Sequence, residues 1–357
     1  MKKLSVKRLI SFGGAFCSFF IGAAFATGQE TMQFFTSFGF SGLMGMFASL
    51  LLFLYCGMKI QATAYTEQFA EMGHVFEYYL GKWIGTFYRW FMVAMLYIGT
   101  TMMLSGVGAV FEEYFKLPGM LGRGLVLAAV SLTVLLGLSK ILDVLGFIGP
   151  LIVGYMVLLG ALSLIMSDGS IAEGMDLAPA LDIYRGAGSA AMAAAKYALV
   201  NSTVLITLWV SCGSRMSDVR EAKAAAGMQV AMFGMACILL VLAQFKNIGY
   251  IYGSEIPNLF LAKRFAPALA IGLAIVMTTG IYSGATMGFW YVTRAFSHEG
   301  TAAYRIITAV MAAVSFFASG AMPFSRIMNL MYTSMFLLGA VMVASIIRKS
   351  VMNRKKA

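Results

Sequence analysis

The sequence predicts an all-α polytopic membrane protein with about ten transmembrane helices, and three observations predict it. Hydrophobic residues make up 60% of the 357 positions and charged residues 11%, against about 45–50% and about 25% in soluble domains. The mean hydropathy is +0.84, the opposite of the balance that produces disorder. The apolar residues fall into long runs, near the roughly 20 residues that a spanning helix needs. A membrane β-barrel would instead show short alternating segments.

Taken in order, the runs are 9–37, 41–65, 83–111, 121–139, 142–166, 187–211, 224–245, 267–293, 303–320 and 323–347. The first follows Lys2, Lys3, Lys7 and Arg8 and contains Ala24-Phe25-Ala26, which resembles a signal-peptidase site. The apolar run continues past it through Phe34, Phe35 and Phe38, so an uncleaved first helix is the expectation. Most connections are short; the long ones are 66–82, 167–186, 212–223 and 246–266.

The net charge of +11 reads as a topology signal and not as a nucleic-acid footprint. With the N-terminus placed inside, 18 of the 26 Lys and Arg fall on the inner side and seven on the outer, while Lys196 lies within a run. This bias favours a plasma (inner) membrane protein in the lipid bilayer with both termini cytoplasmic, and so an even number of helices. Cys17, Cys56, Cys212 and Cys237 sit in or beside apolar runs with no CxxC spacing, as small hydrophobes do. His74 and His298 stand alone in loops and build no metal constellation.

The ten runs divide into two sets of five, 9–166 and 187–347, joined by a linker at 167–186 that carries Asp168, Glu173, Asp176 and Asp182. Five is odd, so the second set starts from the opposite side of the membrane and is inverted relative to the first. In each set the second-to-third connection is long and amphipathic. Inverted repeats of this kind recur among secondary transporters.

The most informative stretch is Ile21-Gly22-Ala23-Ala24-Phe25-Ala26-Thr27-Gly28-Gln29-Glu30. Two glycines weaken the helix, and three polar residues sit at membrane depth. A charge at the bilayer centre costs roughly 2.5–3.5 kcal/mol on insertion scales, so Glu30 should face protein or water. A discontinuous helix here frees backbone carbonyls for a cation and aims N–H groups at an anion. The competing reading is a glycine-flexed packing helix with Glu30 near its outer end. This stretch, with Phe34-Phe35 after it and Glu255-Ile256-Pro257 in the second long connection, resembles the YkvI-type amino acid permeases of the amino acid–polyamine–organocation superfamily.

The resemblance implies a five-plus-five inverted repeat of the LeuT type, with helices one and six broken around a substrate. The residues it puts at the substrate are Gly22, Ala24, Phe25, Thr27 and Gly28 on the first helix, with Asn201 and Ser202 at a sixth-helix break over Val200–Thr203. No glycine marks that second break, and the two polar residues also suit interhelical hydrogen bonding. Tyr97, central in the third run, is a further candidate for the cavity wall, ahead of Tyr197, Trp209, Tyr282 and Tyr332. In sodium-coupled relatives of this fold, adjacent hydroxyls on helix eight join carbonyls of helix one. The implied Na⁺ set here is Thr278 and Thr279 with the carbonyls of Gly22 and Phe25, all hard oxygen donors. Thr pairs are also ordinary in membrane helices, where they bond their own backbone.

Lys196 lies about 15 Å down the sixth helix if that helix starts near Gly186, at 1.5 Å per residue. It pairs with Glu30 as a gate or coupling element, replaces a coupling cation, or snorkels to the outer interface. No HExxH, GxSxG or P-loop signature is present, so no enzyme is expected. The expected function is secondary active transport of an amino acid or related small organic solute, coupled to Na⁺ or H⁺. The alternatives are a non-transporting amino-acid sensor or receptor subunit on the same fold, and an intramembrane enzyme or scaffold.

Overall fold

The computed structural model describes residues 4–69, 71–254, 256–321 and 324–354. The first run is three short helices, α1 (Val6–Phe20), α2 (Ala23–Thr27) and α3 (Gln29–Phe34). There follow α4 (Gly39–Glu67), α5 (His74–Leu80), α6 (Lys82–Val110), α7 (Gly119–Leu135), α8 (Leu138–Met166) and α9 (Ile171–Leu177). The second half comprises α10 (Ala190–Gly213), α11 (Val219–Lys246), α12 (Ile248–Ile251), α13 (Pro257–Phe265), α14 (Pro267–Phe296), α15 (Ala302–Ala318) and α16 (Phe324–Arg354).

Seven helical stretches are long and apolar enough to cross a bilayer, and Gly119–Leu135 and Ala302–Ala318 are shorter apolar helices. With the interrupted first run, these helices follow the order of the ten apolar runs in the sequence. The chain is therefore an all-α, multi-pass membrane protein. The long connections hold α5 in the first half and α13 in the second, with α9 in the acidic linker.

Packing follows a regular scheme. The spans α1, α4, α6, α7 and α8 take the same order as α10, α11, α14, α15 and α16. Exchanging the two sets turns α1 on α8 into α10 on α16, and α1 on α11 into α10 on α4. The same exchange turns α7 on α14 into α15 on α6, and leaves α4 on α11 and α6 on α14 unchanged; all of these pairs are in contact. The core beside the first helix is aromatic: Phe20 meets Phe233 at 4.7 Å and Phe53 at 5.5 Å between ring centres, and Phe25 meets Phe233 at 5.0 Å. Aromatic pairs at such separations add about 0.5–1.5 kcal/mol each beyond area burial.

One expectation fails. The sixth span has no break at Val200–Thr203; α10 is continuous from Ala190 to Gly213. Its sequence gives the reason. Six of its first nine residues are alanine, the best helix former, and no glycine interrupts it before Gly213. Asn201 and Thr203 turn their side chains back on the carbonyls of Tyr197 and Leu199, four residues earlier, which polar residues do within helices. The non-helical stretch of this region precedes the span, at 181–189.

Candidate functional site: the interrupted first helix

The first helix is interrupted twice. α1 ends at Ile21, whose N–H donates to Cys17 O at 2.7 Å, and Gly22 turns back on Phe20 O at 2.8 Å. Among the described residues the Ile21 carbonyl accepts no backbone hydrogen bond, and it lies against Gly280 of α14. A Cβ at position 280 would collide with that carbonyl, so the close crossing requires glycine.

The second interruption is at Gly28, which is left-handed at φ +84°, a conformation glycine adopts at no steric cost. It is held from outside its own helix. Gln244 Nε2 donates to Gly28 O at 3.0 Å and to Thr31 Oγ1 at 2.8 Å, and Gln244 Oε1 accepts from Thr36 Oγ1 at 2.7 Å. Asn258, on the short helix α13, donates to Ala26 O at 3.0 Å. Gln244 is fully buried, so replacing it by Leu leaves several buried polar groups unpaired, at about 1–3 kcal/mol for each such group. A lowered melting temperature for Gln244→Leu in detergent is the expected result; an unchanged one would mean that the lock is idle.

A cavity of about 110 Å³ opens beside these interruptions. Phe19, Phe20, Gly22 and Phe25 of the first helix line it, with Met102 and Met103 of α6 and Val200, Asn201 and Val204 of α10. Met331, Tyr332 and Met335 of α16 close the far wall, and Glu30 lies among them. The polar wall is one hydrogen-bonded chain. Asn201 Nδ2 donates to Tyr332 Oη at 3.0 Å, and Tyr332 Oη donates to Glu30 Oε1 at 2.9 Å. Glu30 and Asn201 are each 8% exposed and Tyr332 6%. Phe34 meets Tyr332 at 4.8 Å and Tyr197 at 5.4 Å between ring centres, both tilted. A second cavity of about 490 Å³ has Arg89, Trp290, Arg294 and His298 in its wall; the two share no lining residue.

Of the residues expected at the site, Gly22, Phe25, Asn201 and Glu30 meet at this cavity. The others lie elsewhere. Thr27 Oγ1 accepts from Gln29 N at 3.3 Å, and Gly28 is part of the lock just described. Ser202, one residue on from Asn201, is buried outside the cavity. The Ala24 side chain and Glu255 lie outside the described residues. Tyr97 does not line the cavity: its hydroxyl donates to Met311 O at 3.1 Å, and it borders an apolar groove between α6, α14 and α15.

The opposite charges do not pair. Lys196 Nζ donates to the Gly186 carbonyl at 3.3 Å, and the ion pairs among the described residues are Arg8–Glu221, Arg89–Glu71 and Arg215–Asp143. Because α10 starts at Ala190, Lys196 lies about 9 Å down the helix and not 15 Å, within reach of the loop above it.

Nor do the implied sodium ligands converge. Thr278 donates to Ala274 O at 2.8 Å, and Thr279 to Ile275 O at 2.8 Å and Val276 O at 3.0 Å, all on their own helix. Gly280 faces the break, and at 3.6 residues per turn Thr278 points about 200° away from it. The carbonyls of Gly22 and Phe25 are also engaged, by Ala26 N and Gly28 N at 3.0 Å each. Thr278 is thus turned away from the break in this structure. The residues that sequence reasoning passed over are the four cavity methionines, Gln244 and Asn258, with Tyr332 ranked too low. Nothing local distinguishes these from packing residues in a chain with 28 methionines and 16 tyrosines.

No protein-family model matches the chain. The uncharacterized membrane protein YkvI of Bacillus subtilis is 26% identical over 242 residues, 68% of this chain and 65% of its own, so the match spans less than two thirds of that relative. The uncharacterized protein YyaD of Bacillus subtilis is 24% identical over 269 residues, 75% of each chain. Among solved structures, a Na⁺-coupled sialic acid symporter in a substrate-bound outward-open state superposes with a TM-score of 0.68 at 10% identity, over 96% of this chain and 78% of that one. MhsT in complex with L-phenylalanine gives 0.62 at 16% identity, over 96% and 89%. A manganese transporter of Eremococcus coleocola gives 0.56 at 12% identity, over 97% and 78%. The chain is thus similar to YkvI in sequence, and its fold is the LeuT-type fold of these transporters.

Proposed function

We propose that the protein is a secondary active transporter that carries an amino acid or related small organic solute by alternating access. The observation that carries this reading is the 110 Å³ cavity at the interrupted first helix, inside a fold shared with solved transporters. Broken helices at a midplane cavity are a recurring way to bind solute. The packing pairs that survive exchange of the two halves support the reading of 9–166 and 187–347 as inverted repeats. The charge bias supports a plasma-membrane protein with cytoplasmic termini. Transport is coupled to Na⁺ or H⁺; if to Na⁺, the ligands are other than Thr278 and Thr279.

Counterflow tests the reading. Purified protein in liposomes preloaded with unlabelled solute is expected to accumulate the labelled solute, with dependence on an imposed sodium or proton gradient. Saturable binding without exchange would instead identify a sensor on the same fold and overturn the transport reading.

A further inference from the structure

Donor and acceptor accounting at the cavity wall points to one kind of ligand group. The Asn201 amide is fixed in orientation, because one of its contacts is the Tyr197 carbonyl at 3.0 Å, which only accepts. Nδ2 therefore faces that carbonyl and Tyr332 Oη, and both of its hydrogens are spent. The Tyr332 hydroxyl spends its one hydrogen on Glu30 Oε1. The open side-chain polar atoms of the wall, with Glu30 ionised, are then acceptors: Glu30 Oε2 and Asn201 Oδ1 accept no hydrogen bond among the described residues. Among the described residues the lining includes no Lys, Arg or His side chain. A carboxylate 8% exposed, in an apolar membrane interior and with no cation in the described lining, is costly unless a proton or another positive group joins it. The rest of the wall is methionine, valine and phenylalanine.

We propose that Glu30 receives a protonated primary amine of the substrate, with Asn201 Oδ1 as a second acceptor. The methionine-lined side holds a small apolar body. The inference rests on the transport reading and deepens it: it names the substrate class as cationic amines, whether free monoamines or α-amino acids that carry the same group. An ammonium supplies three donors and a positive charge, which matches the two open side-chain acceptors and the carboxylate form of Glu30. The cavity, about 110 Å³, suits small solutes.

The test pairs isosteres on the intact protein. Isobutylamine is set against isobutanol, and L-valine against 2-hydroxy-3-methylbutanoate, with shorter and longer alkylamines completing the panel; melting temperature is read in detergent and counterflow in liposomes. Each amine of fitting size is expected to raise the melting temperature, and its hydroxyl twin to have no effect at the same concentration. Glu30→Gln is expected to weaken amine binding about tenfold or more, the worth of a charge-assisted hydrogen bond. The isostere comparison needs no variant, so a misfolded Glu30→Gln leaves the proposal testable. Stabilisation by isobutylamine and L-valine alike supports an amine subsite open to both sources, and by one alone assigns the source. Equal stabilisation by amine and hydroxyl twin, or by no amine in the panel, overturns the proposal. Transport of a hydroxy acid without amine preference would overturn the amine site and leave transport intact. Amine binding without exchange would do the reverse.

Discussion

Gly280→Val is expected to abolish solute accumulation and to lower the melting temperature. The side chain would be built where the Ile21 carbonyl stands, and backbone on both sides leaves no flexible group to move aside. Overpacking of this kind costs about 1–3 kcal/mol or more. The displacement also falls on the residue that ends α1 and adjoins Gly22 in the cavity wall. The matched control is Thr278→Ala with Thr279→Ala. Both hydroxyls serve their own helix, so the double variant is expected to stay near wild type in melting temperature and in any sodium dependence. Uptake of a solute selected by the binding panel, with and without sodium, checks both. Wild-type behaviour of Gly280→Val would show that the α1–α14 crossing is not a fixed element of the site. Loss of sodium dependence in the threonine variant would restore those residues to a cation site.

The bundle was legible because its causes are local. Ten apolar runs report bilayer thickness directly, and the structure turns them into helices in the same order, with seven helical stretches among the described residues long and apolar enough to cross a bilayer. The first break was legible too: glycine twice within seven residues, followed by Gln29 and Glu30, is costly in an uninterrupted membrane helix. The sixth-span break came from the fold resemblance and had polar residues but no glycine to support it; an alanine-rich stretch stayed helical. The sodium set failed for a related reason. Spacing along the chain located two adjacent hydroxyls but not the face of the helix they occupy. That face is decided by Gly280, where the backbones approach. Tyr332 and Gln244 were illegible because their roles depend on contacts more than 200 residues away in sequence, and a single buried Tyr or Gln carries no periodic signature.

Glu30→Gln and Lys196→Met are expected to act independently. Matching depths on two helices suggested a pair, but depth sets only one coordinate. Glu30 is turned inward on Tyr332, whereas Lys196 reaches up to Gly186 at the end of α10. Lys196→Met removes a snorkelling cation that serves one loop carbonyl, and is expected to change stability and uptake little, within about 0.5–1 kcal/mol. Glu30→Gln keeps the shape of the side chain and an acceptor for Tyr332 while it removes a buried ionisable group that has no counter-cation among the described residues. Its melting temperature is expected to hold or rise, because neutral replacement of an uncompensated buried charge relieves desolvation cost. Its amine-dependent stabilisation is expected to be lost, which separates a binding role from a scaffolding one. The double variant should then equal the sum of the single ones, with a coupling energy below about 0.5 kcal/mol in melting experiments. A double variant markedly more stable or more active than Glu30→Gln alone would mean that the two charges meet in a state of the transport cycle other than this one, and Lys196 would return to the gate.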